Sequence, residues 1–479
     1  MLWLVSAAAA LSPSGGGQVG VGMNGLQAVV QSFEPYLLNQ IRNLTLKDIK
    51  KKESGFDVKL YNMRVEDFKC DSPCIVPTFG TGGVIGIELP GFRLKFHIRA
   101  EAKKSILKVS TVCDSKIGTA KLSASAAIQV SGGQLSLGSV KSSADVGHFD
   151  PNCGGGVSGS VINLISSLFD STIKDELNEL IEQEVQSALK EEAKQLLSEI
   201  TWKYTLEKGI AILDYSPQAL TSTTDHLSMN VQASLVDASG DLPPAATMPA
   251  LPSWSPDAGD AYLQTLLSAW SLDTVAFTYW KAKRLQRHIT HDDIGQYSPV
   301  QLNTSNIGVL CAPGLLVKYP HHWMTIDSAF SSSPVTTITK SGVTAEAPAT
   351  FAFSVVNSTG GIVDSAFTVG GNVTLGVTFN IHSDGSQTKQ NLTAEITQAT
   401  LPLTVLRSDV GNVNVKALSA VVNAAVEKLL IPLANRVLHV GVPLPSTPMV
   451  TLENTTLTPD DGYLLVATKF KVKPLMSAR

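Results

Sequence analysis

The stretch that decides the fold is residues 161–200, VINLISSLFDSTIKDELNELIEQEVQSALKEEAKQLLSEI. Its apolar residues recur every three or four positions, while Glu, Lys, Gln and Ser fill most positions between them. This period predicts one amphipathic helix, whose apolar stripe is wider than the narrow seam of a coiled coil. At 1.5 Å per residue, the helix would be about 60 Å long. A compact domain of this size does not need such a length, so the sequence predicts an elongated body.

Two shorter segments show the same helical period, one near each end of the chain. The apolar stripe on each of these segments would pack against a neighbouring sheet. The first four apolar positions of the long helix would lie on the same sheet as the first stripe and extend it. The apolar positions concerned are Leu26, Val29, Val30, Phe33 and Leu37, then Val161, Ile165, Leu168 and Phe169, and finally Val415, Leu418, Val422, Val426 and Leu429.

Segments that alternate between apolar and polar residues surround these helices. Examples are residues 92–98, 227–235, 373–381 and 464–472. A period of two predicts antiparallel sheet with one covered face. Glycine-rich breaks at Ser131-Gly132-Gly133 and Asp384-Gly385 are typical of hairpins.

The chain divides into two halves of similar design, residues 19–240 and 257–479. A proline-rich segment, residues 241–256, separates them and predicts a stiff, extended linker, because proline fixes φ and cannot donate to a sheet. We expect a short helix over residues 257–270. With 479 residues, the chain is too long for one ordinary core and suits two domains.

Composition narrows the class of protein. Apolar residues make up 43% of the chain and charged residues 16%, with a net charge of −4. These values are typical of a globular chain, and the negative charge argues against a general nucleic-acid binder.

Three features favour the secretory pathway. Residues 1–18 begin with a short apolar run followed by small residues, which predicts a signal peptide. Five cysteines allow two disulfides, with three pairings open among the first four; we take Cys70 with Cys74 and Cys113 with Cys153, leaving Cys311 free. Six glycosylation sequons occur, at Asn43, Asn303, Asn357, Asn372, Asn391 and Asn454.

Several local patterns, taken in order, resemble the family of bactericidal/permeability-increasing protein, lipopolysaccharide-binding protein, and phospholipid and cholesteryl ester transfer proteins. The resemblance runs from about Gly22 to Pro474. The most specific segments are Val442-Pro443-Leu444-Pro445 and the strand that begins Gly462-Tyr463-Leu464-Leu465. Asp260-Ala261-Tyr262-Leu263 is similar to the family's short helix after the linker. Mammalian members carry a cysteine late in the long helix, which residues 184–189 lack, so Cys113 with Cys153 would replace that bridge.

The resemblance implies an α+β fold. In it, two antiparallel β-barrels with long amphipathic helices form an elongated boomerang around a central antiparallel sheet. It also implies a secreted, monomeric lipid carrier without a cofactor, whose partners are phospholipid or lipopolysaccharide and a membrane or lipoprotein surface. The three apolar stripes would line acyl-chain slots between helix and sheet. Packing as ordinary core is the alternative for each stripe.

A basic hairpin is the candidate contact for anionic headgroups. Its cations are Arg99, Lys103, Lys104 and Lys108. In lipopolysaccharide-binding relatives this end of the barrel is cationic. Ordinary solvated lysines are the alternative, because the hairpin also contains Glu101 and lacks an aromatic residue.

Enzymatic and metal-binding functions find little support in the sequence. Gly20-Val21-Gly22-Met23-Asn24-Gly25 matches a dinucleotide-binding fingerprint, but residues 11–18 do not suit the buried strand that must precede it. No Gly-x-Ser-x-Gly elbow occurs. His288 and His291 lack metal-ligand spacing, and Cys311 with His321 is a weak catalytic pair. A structural or adhesion β-protein without lipid remains the second interpretation.

Overall fold

We describe a computed structural model covering residues 15–154, 159–207, 211–237, 239–243, 250–295, 300–383, 390–445 and 447–473. Residues 1–14 of the predicted signal peptide lie outside the described residues, as does the predicted turn at Asp384-Gly385. Gly17 and Gln18, which we had assigned to the signal peptide, lie in the first strand and belong to the folded domain. The boundary at residue 18 is therefore wrong.

The elements of the first half are numbered in chain order. They are β1 Gly17–Gly22, α1 Met23–Arg42, β2 Thr45–Leu46, β3 Ile49–Glu53, β4 Phe56–Cys70, β5 Val76–Gly80, β6 Val84–Lys104, β7 Leu107–Ser131, β8 Gln134–Leu137, β9 Lys141–Asp145, β10 Phe149–Asp150, α2 Gly159–Leu168, a π-turn Phe169–Ile173, α3 Lys174–Ser198, β11 Lys203–Glu207, β12 Ala211–Asp214, β13 Pro217–Ser222, β14 His226–Val231 and β15 Ser234–Val236.

The second half continues the numbering. Its elements are a 3₁₀ turn Pro256–Ala258, β16 Leu263–Ser268, α4 Ala269–Lys281, β17 Gln286–Ile289, α5 His291–Gly295, α6 Thr304–Leu310, α7 Gly314–Lys318, β18 Trp323–Phe330, β19 Val335–Thr339, β20 Gly342–Val356, β21 Ile362–Ser383, β22 Gln390–Thr400, β23 Thr404–Ser408, α8 Val415–Ala425, a π-turn Val426–Leu430, α9 Ile431–Leu438, β24 Val442–Pro443, β25 Val450–Asp460 and β26 Tyr463–Val472.

The described strands form antiparallel sheets. A nine-stranded curled sheet in the first half has β7, β6 and β4 at its centre, and an eight-stranded curled sheet in the second half has β18, β20, β21 and β22. A six-stranded central sheet, in the order β13-β14-β1-β16-β26-β25, takes three strands from each half. The predicted fold class, two barrel-like units joined by a central antiparallel sheet, is confirmed.

The long helix is confirmed, and it contains one π-turn. Residues 159–198 run as α2, one π-turn and α3. One face packs with α1 on the inner faces of β4, β6 and β7 to form the first core. In the second half, residues 415–438 repeat the design as α8, a π-turn and α9. In each half, a helix that contains one π-turn therefore packs against a curled sheet.

The expected short helix over residues 257–270 is wrong. Only Pro256–Ala258 forms a turn, and residues 263–268 form β16, which pairs with β1 on one side and β26 on the other. Helix α4 begins at Ala269, where the Ser268 side chain caps the first turn by accepting a hydrogen bond from the Ser271 N–H at 3.3 Å. Strand pairing on both sides therefore overrides the local helical pattern of this segment.

The glycines that match the dinucleotide-binding fingerprint allow neighbouring groups to pack closely against the backbone. Gly20 and Gly22 lie inside β1, which pairs antiparallel with β14 and β16. A Cβ on Gly20 would lie 3.2 Å from the Trp254 ring, and one on Gly25 would lie 2.3 Å from the Tyr262 carbonyl oxygen. The end of the predicted linker thus packs on the central sheet through Trp254. These glycines are required by side-chain and backbone contact, which explains the motif without a nucleotide.

The cysteines pair as expected. Cys70 is bonded to Cys74, and Cys113 to Cys153, while Cys311 is free and buried. Cys113 lies in β7 and Cys153 follows β10, so the second bridge ties the chain ahead of the long helix to the first curled sheet. The hairpin at Ser131-Gly132-Gly133 is also confirmed, between β7 and β8.

We predict that the free thiol is unreactive until the protein unfolds. Burial raises the pKa of the Cys311 thiol to about 11, and the thiolate is the form that alkylating reagents attack. At pH 8, iodoacetamide should label no cysteine in the native protein and one, Cys311, in denaturant without reductant. Peptide mapping that finds Cys113 or Cys153 labelled in denaturant would contradict the assigned bridges.

Candidate functional site

The first apolar stripe lies at the closed interface between the helices and the first sheet. All of its predicted residues except Val29, which is only partly buried, are at most 9% exposed. Phe149 and Phe169 stack across the interface with ring centroids 3.9 Å apart. The structure therefore brings the two parts of this stripe together, but side chains of the protein fill the space between helix and sheet. Their role as lipid contacts stays a prediction.

The second apolar stripe lies at a looser interface. Leu418, Val421, Val422 and Ala425 of α8 are buried, whereas α9, after the π-turn, contains no buried residue. The two halves of this helix thus differ in packing. Apolar side chains that are only partly buried pack on the second core, and they include Leu429, Leu430 and Ile431 at the π-turn and the start of α9, and Leu375, Leu401 and Leu403 elsewhere.

Polar contacts hold α9 over the sheet. The Asn435 side chain accepts a hydrogen bond from the Ile396 N–H at 2.8 Å and donates one to the Ile396 carbonyl at 3.2 Å. These bonds fasten α9 to β22 without closing the apolar interface. By length and composition, residues 415–438 also form the one helix in the described chain apolar enough to cross a membrane. We call the partly exposed apolar interface between this end of the helix and β22 the α9 cleft.

Three ionisable side chains in the seam between α1 and α3 have raised pKa values. Burial raises the pKa of Glu34 and of Glu192, and the neighbouring Glu191 adds to the shift of Glu192. Burial also raises the pKa of Tyr36, with further contributions from Glu192 and Glu191. Partial burial and the closeness of several carboxylates both favour the neutral forms of these groups.

The basic hairpin lies at the end of β6 and β7, with Arg99, Lys103, Lys104 and Lys108 exposed. Lys108 pairs with Glu101 at 2.9 Å, and the Lys104 ammonium lies 5.0 Å from the centre of the Phe56 ring. Across the β4–β6 ladder, Lys103 is opposite Asp57, which brings the β3–β4 hairpin with its lysines alongside.

The sequence interpretation missed the apolar residues between these lysines. Ile106 is 94% exposed and Leu107 71% exposed, at the turn itself. The sequence Lys-Lys-Ser-Ile-Leu-Lys contains this aliphatic pair, whereas the sequence interpretation considered only aromatic residues. Exposed apolar patches beside polar residues often mark surfaces that contact a partner or a membrane. We call Lys103 to Lys108 the tip hairpin.

The alternative site residues are not brought together. His288 contacts Asp327 at 2.6 Å, while His291 stacks on Trp323, with ring centroids 4.1 Å apart. Cys311 donates to the Ile307 carbonyl, and His322 bonds to the Pro320 carbonyl. These contacts are structural and assemble neither a metal site nor a catalytic pair.

The C-terminal part of the chain decides the family. Residues 206–472, more than half of the chain, match the model of the LBP / BPI / CETP family, C-terminal domain. The chain belongs to this family. The matched region begins before the predicted linker, because β12 to β15 contribute to the central part of the fold.

Two relatives agree with this assignment. The chain is 28% identical over 208 residues to a bactericidal permeability-increasing protein of Sebastes schlegelii, an alignment that covers 42% of this chain and 41% of that protein. The crystal structure of lipopolysaccharide binding protein aligns with a TM-score of 0.62 at 16% identity, covering 96% of this chain and 99% of the other. The second comparison shows that the family fold extends over nearly the whole chain.

Proposed function

We propose that this LBP / BPI / CETP family member is a non-enzymatic lipid-binding protein that holds acyl chains in the α9 cleft. The observation that carries the proposal is the contrast within one helix: α8 is buried, and α9 is not. A lipid chain needs an apolar slot, because each CH₂ moved from bilayer to water costs about 0.8 kcal/mol. The partly buried Leu429, Leu430 and Ile431 supply apolar surface for such a slot.

The first helix–sheet interface differs, because it is filled by its own side chains. An acyl chain would fit beside Ile165 only after the long helix moved away from the sheet, and Ile165 is 1% exposed. We therefore assign the α9 cleft as the main site. The alternative function, an extracellular structural or adhesion protein, predicts that purified protein contains no lipid.

A tryptophan scan along one helix tests the cleft. Leu429→Trp should fill the open part and lower the amount of lipid extracted from the protein, with a nearly unchanged melting temperature. Leu418→Trp, the matched control in the closed part of the same helix unit, should instead cost about 1–3 kcal/mol of stability by overpacking. Organic extraction with mass spectrometry measures the lipid, and thermal unfolding measures the stability.

Three outcomes would revise this picture. If Leu429→Trp loses stability but keeps its lipid, the α9 cleft is ordinary core. Ile165→Trp is expected to behave like Leu418→Trp. A fall in its lipid content without a loss of stability would make the first interface a second lipid site. Wild-type protein from its own secretory pathway that yields no lipid would favour the adhesion function.

We further propose that the tip hairpin docks on anionic lipid surfaces, phospholipid or lipopolysaccharide. Its exposed lysines would approach the headgroups while Ile106 and Leu107 enter the apolar layer. This two-part contact combines long-range charge with short-range burial. As part of the same proposal, the protein is secreted as a monomer and has neither nucleic acid nor a cofactor as a partner. Exposed sequons at Asn43, Asn357, Asn372 and Asn454 support passage through the secretory pathway.

Charge reversal tests the electrostatic part. Each basic residue near an anionic surface contributes about 1 kcal/mol, so Lys103→Glu with Lys104→Glu should weaken binding to anionic vesicles more than about tenfold at low salt. The loss should shrink as salt rises, because the screening length falls to about 8 Å at physiological ionic strength. Lys121→Glu with Lys141→Glu, exposed on the same half, is the matched control in vesicle co-sedimentation. Equal binding by the tip variant and this control would show that the lysines are ordinary solvated surface.

Removal of the aliphatic residues tests the insertion part. Ile106→Ser with Leu107→Ser should weaken binding to the same vesicles by a factor that changes little with salt, since burial of apolar area is the interaction lost. Val335→Ser, at an exposed aliphatic position of the second half, should bind as the wild type does. A loss that disappears at high salt would mean that these residues do not enter the lipid.

A further inference from the structure

Three adjacent strands of the first sheet bring a histidine and two carboxylates together on its outer face. His97 of β6 lies opposite Asp114 of β7. The β4–β6 ladder shifts register between Val65 and Asp67, which leaves Glu66 outside the regular pairing. Such a bulge re-aims side chains, and here Glu66 reaches the same histidine.

The geometry suits a cation held between the three side chains. His97 Nδ1 lies 2.7 Å from Asp114 Oδ1 and 3.5 Å from Glu66 Oε1, and one donor atom from each residue falls within 4.8 Å of the others. Zinc bonds of about 2.0–2.2 Å in a tetrahedral site place neighbouring ligand atoms about 3.3–3.5 Å apart. Small adjustments of two partly exposed carboxylates would reach that spacing.

Burial and hydrogen bonds hold two of the three ligands in place. The His97 side chain is more than nine-tenths buried and its Nδ1 is directed at both carboxylates, whereas Nε2 has no hydrogen-bond partner among the described residues. Lys95 donates to the other oxygen of Glu66 at 2.8 Å, which leaves Oε1 facing His97. Hydrogen bonds of this kind orient carboxylate ligands around metals. Arg64, 3.4 Å from Oε1, also bonds to Asn62, so it has a second partner when a metal displaces it.

The cluster is also open to solvent on one side. Glu66 and Lys95 belong to the wall of a groove of about 620 Å³, whose other walls include Asn39, Arg42 and Asp67. A metal bound by three side chains keeps a fourth position for water or for another ligand. The groove would give that position access to solvent.

We propose that Glu66, His97 and Asp114 form a binding site for a divalent transition-metal ion, with Zn²⁺ as the probe. One imidazole and two carboxylates favour zinc and its neighbours over Ca²⁺ and Mg²⁺, which prefer oxygen ligands alone. The ion would tie β4, β6 and β7 together beside the Cys113–Cys153 bridge. This site is separate from the α9 cleft and from the tip hairpin.

Calorimetric titration of the full chain, first treated with EDTA, tests the site. At pH 7.5 and 150 mM NaCl, Zn²⁺ should bind with a stoichiometry of one and micromolar affinity. Asp114→Asn should weaken binding more than tenfold, because it removes a charged ligand from a partly exposed position that folding does not depend on.

Two controls separate this site from general binding to histidines. Asp67→Asn removes a carboxylate from the same groove but not from the cluster, and Asp327→Asn removes the partner of His288 elsewhere; both should bind zinc as the wild type does. Co²⁺ should give the intense visible absorption of tetrahedral coordination in the wild type and lose it in Asp114→Asn. The proposal is overturned if no saturable binding appears below 100 μM Zn²⁺. It is also overturned if Asp114→Asn and the wild type bind equally, because the cluster is then a simple ion pair.

Discussion

The packing of an amphipathic helix along the inner face of a curled antiparallel sheet is the interaction on which the rest of the structure depends. Each half repeats it, and each helix continues through a π-turn at nearly the same distance from its start. A π-turn changes which side chains face the sheet, so the segments before and after it need not pack equally. The first half packs tightly on both sides of its turn. The second half loosens after it, and this difference creates the α9 cleft.

Much of the fold could be predicted because a long periodic pattern of apolar residues indicates a buried face, whichever residues cover that face. The stripe from Val161 to Ala188 and the alternation at Phe92 to Ile98 both correspond to buried faces. The alternation at residues 464–472 corresponds to a strand buried on both faces, where Leu464 and Val466 face one core and Tyr463 and Leu465 another. The alternating pattern alone did not reveal that the second face of this strand is covered, since part of the cover is Trp254 and Leu251 at the end of the linker.

The features that could not be predicted are those created by neighbours distant in the sequence. Residues 263–268 form a strand because β1 and β26 pair with them, and no local pattern reports that. Glu66, His97 and Asp114 meet through the register of two ladders, and a one-residue change in register would separate them. The exposed Ile106 and Leu107 were visible in the sequence, but only the position of the turn shows that neither can be covered by the barrel.

The strand order of the central sheet has a consequence for how the protein is made. β1, from the start of the chain, lies between β14 and β16, and β26, from the end, lies next to β16. While the chain leaves the ribosome, β1 can pair with β14 and later with β16, but β16 lacks its second neighbour until the last strand has been synthesised. The nascent protein therefore carries an unpaired central edge through most of translation. Such an edge is a template for association with other chains until synthesis ends.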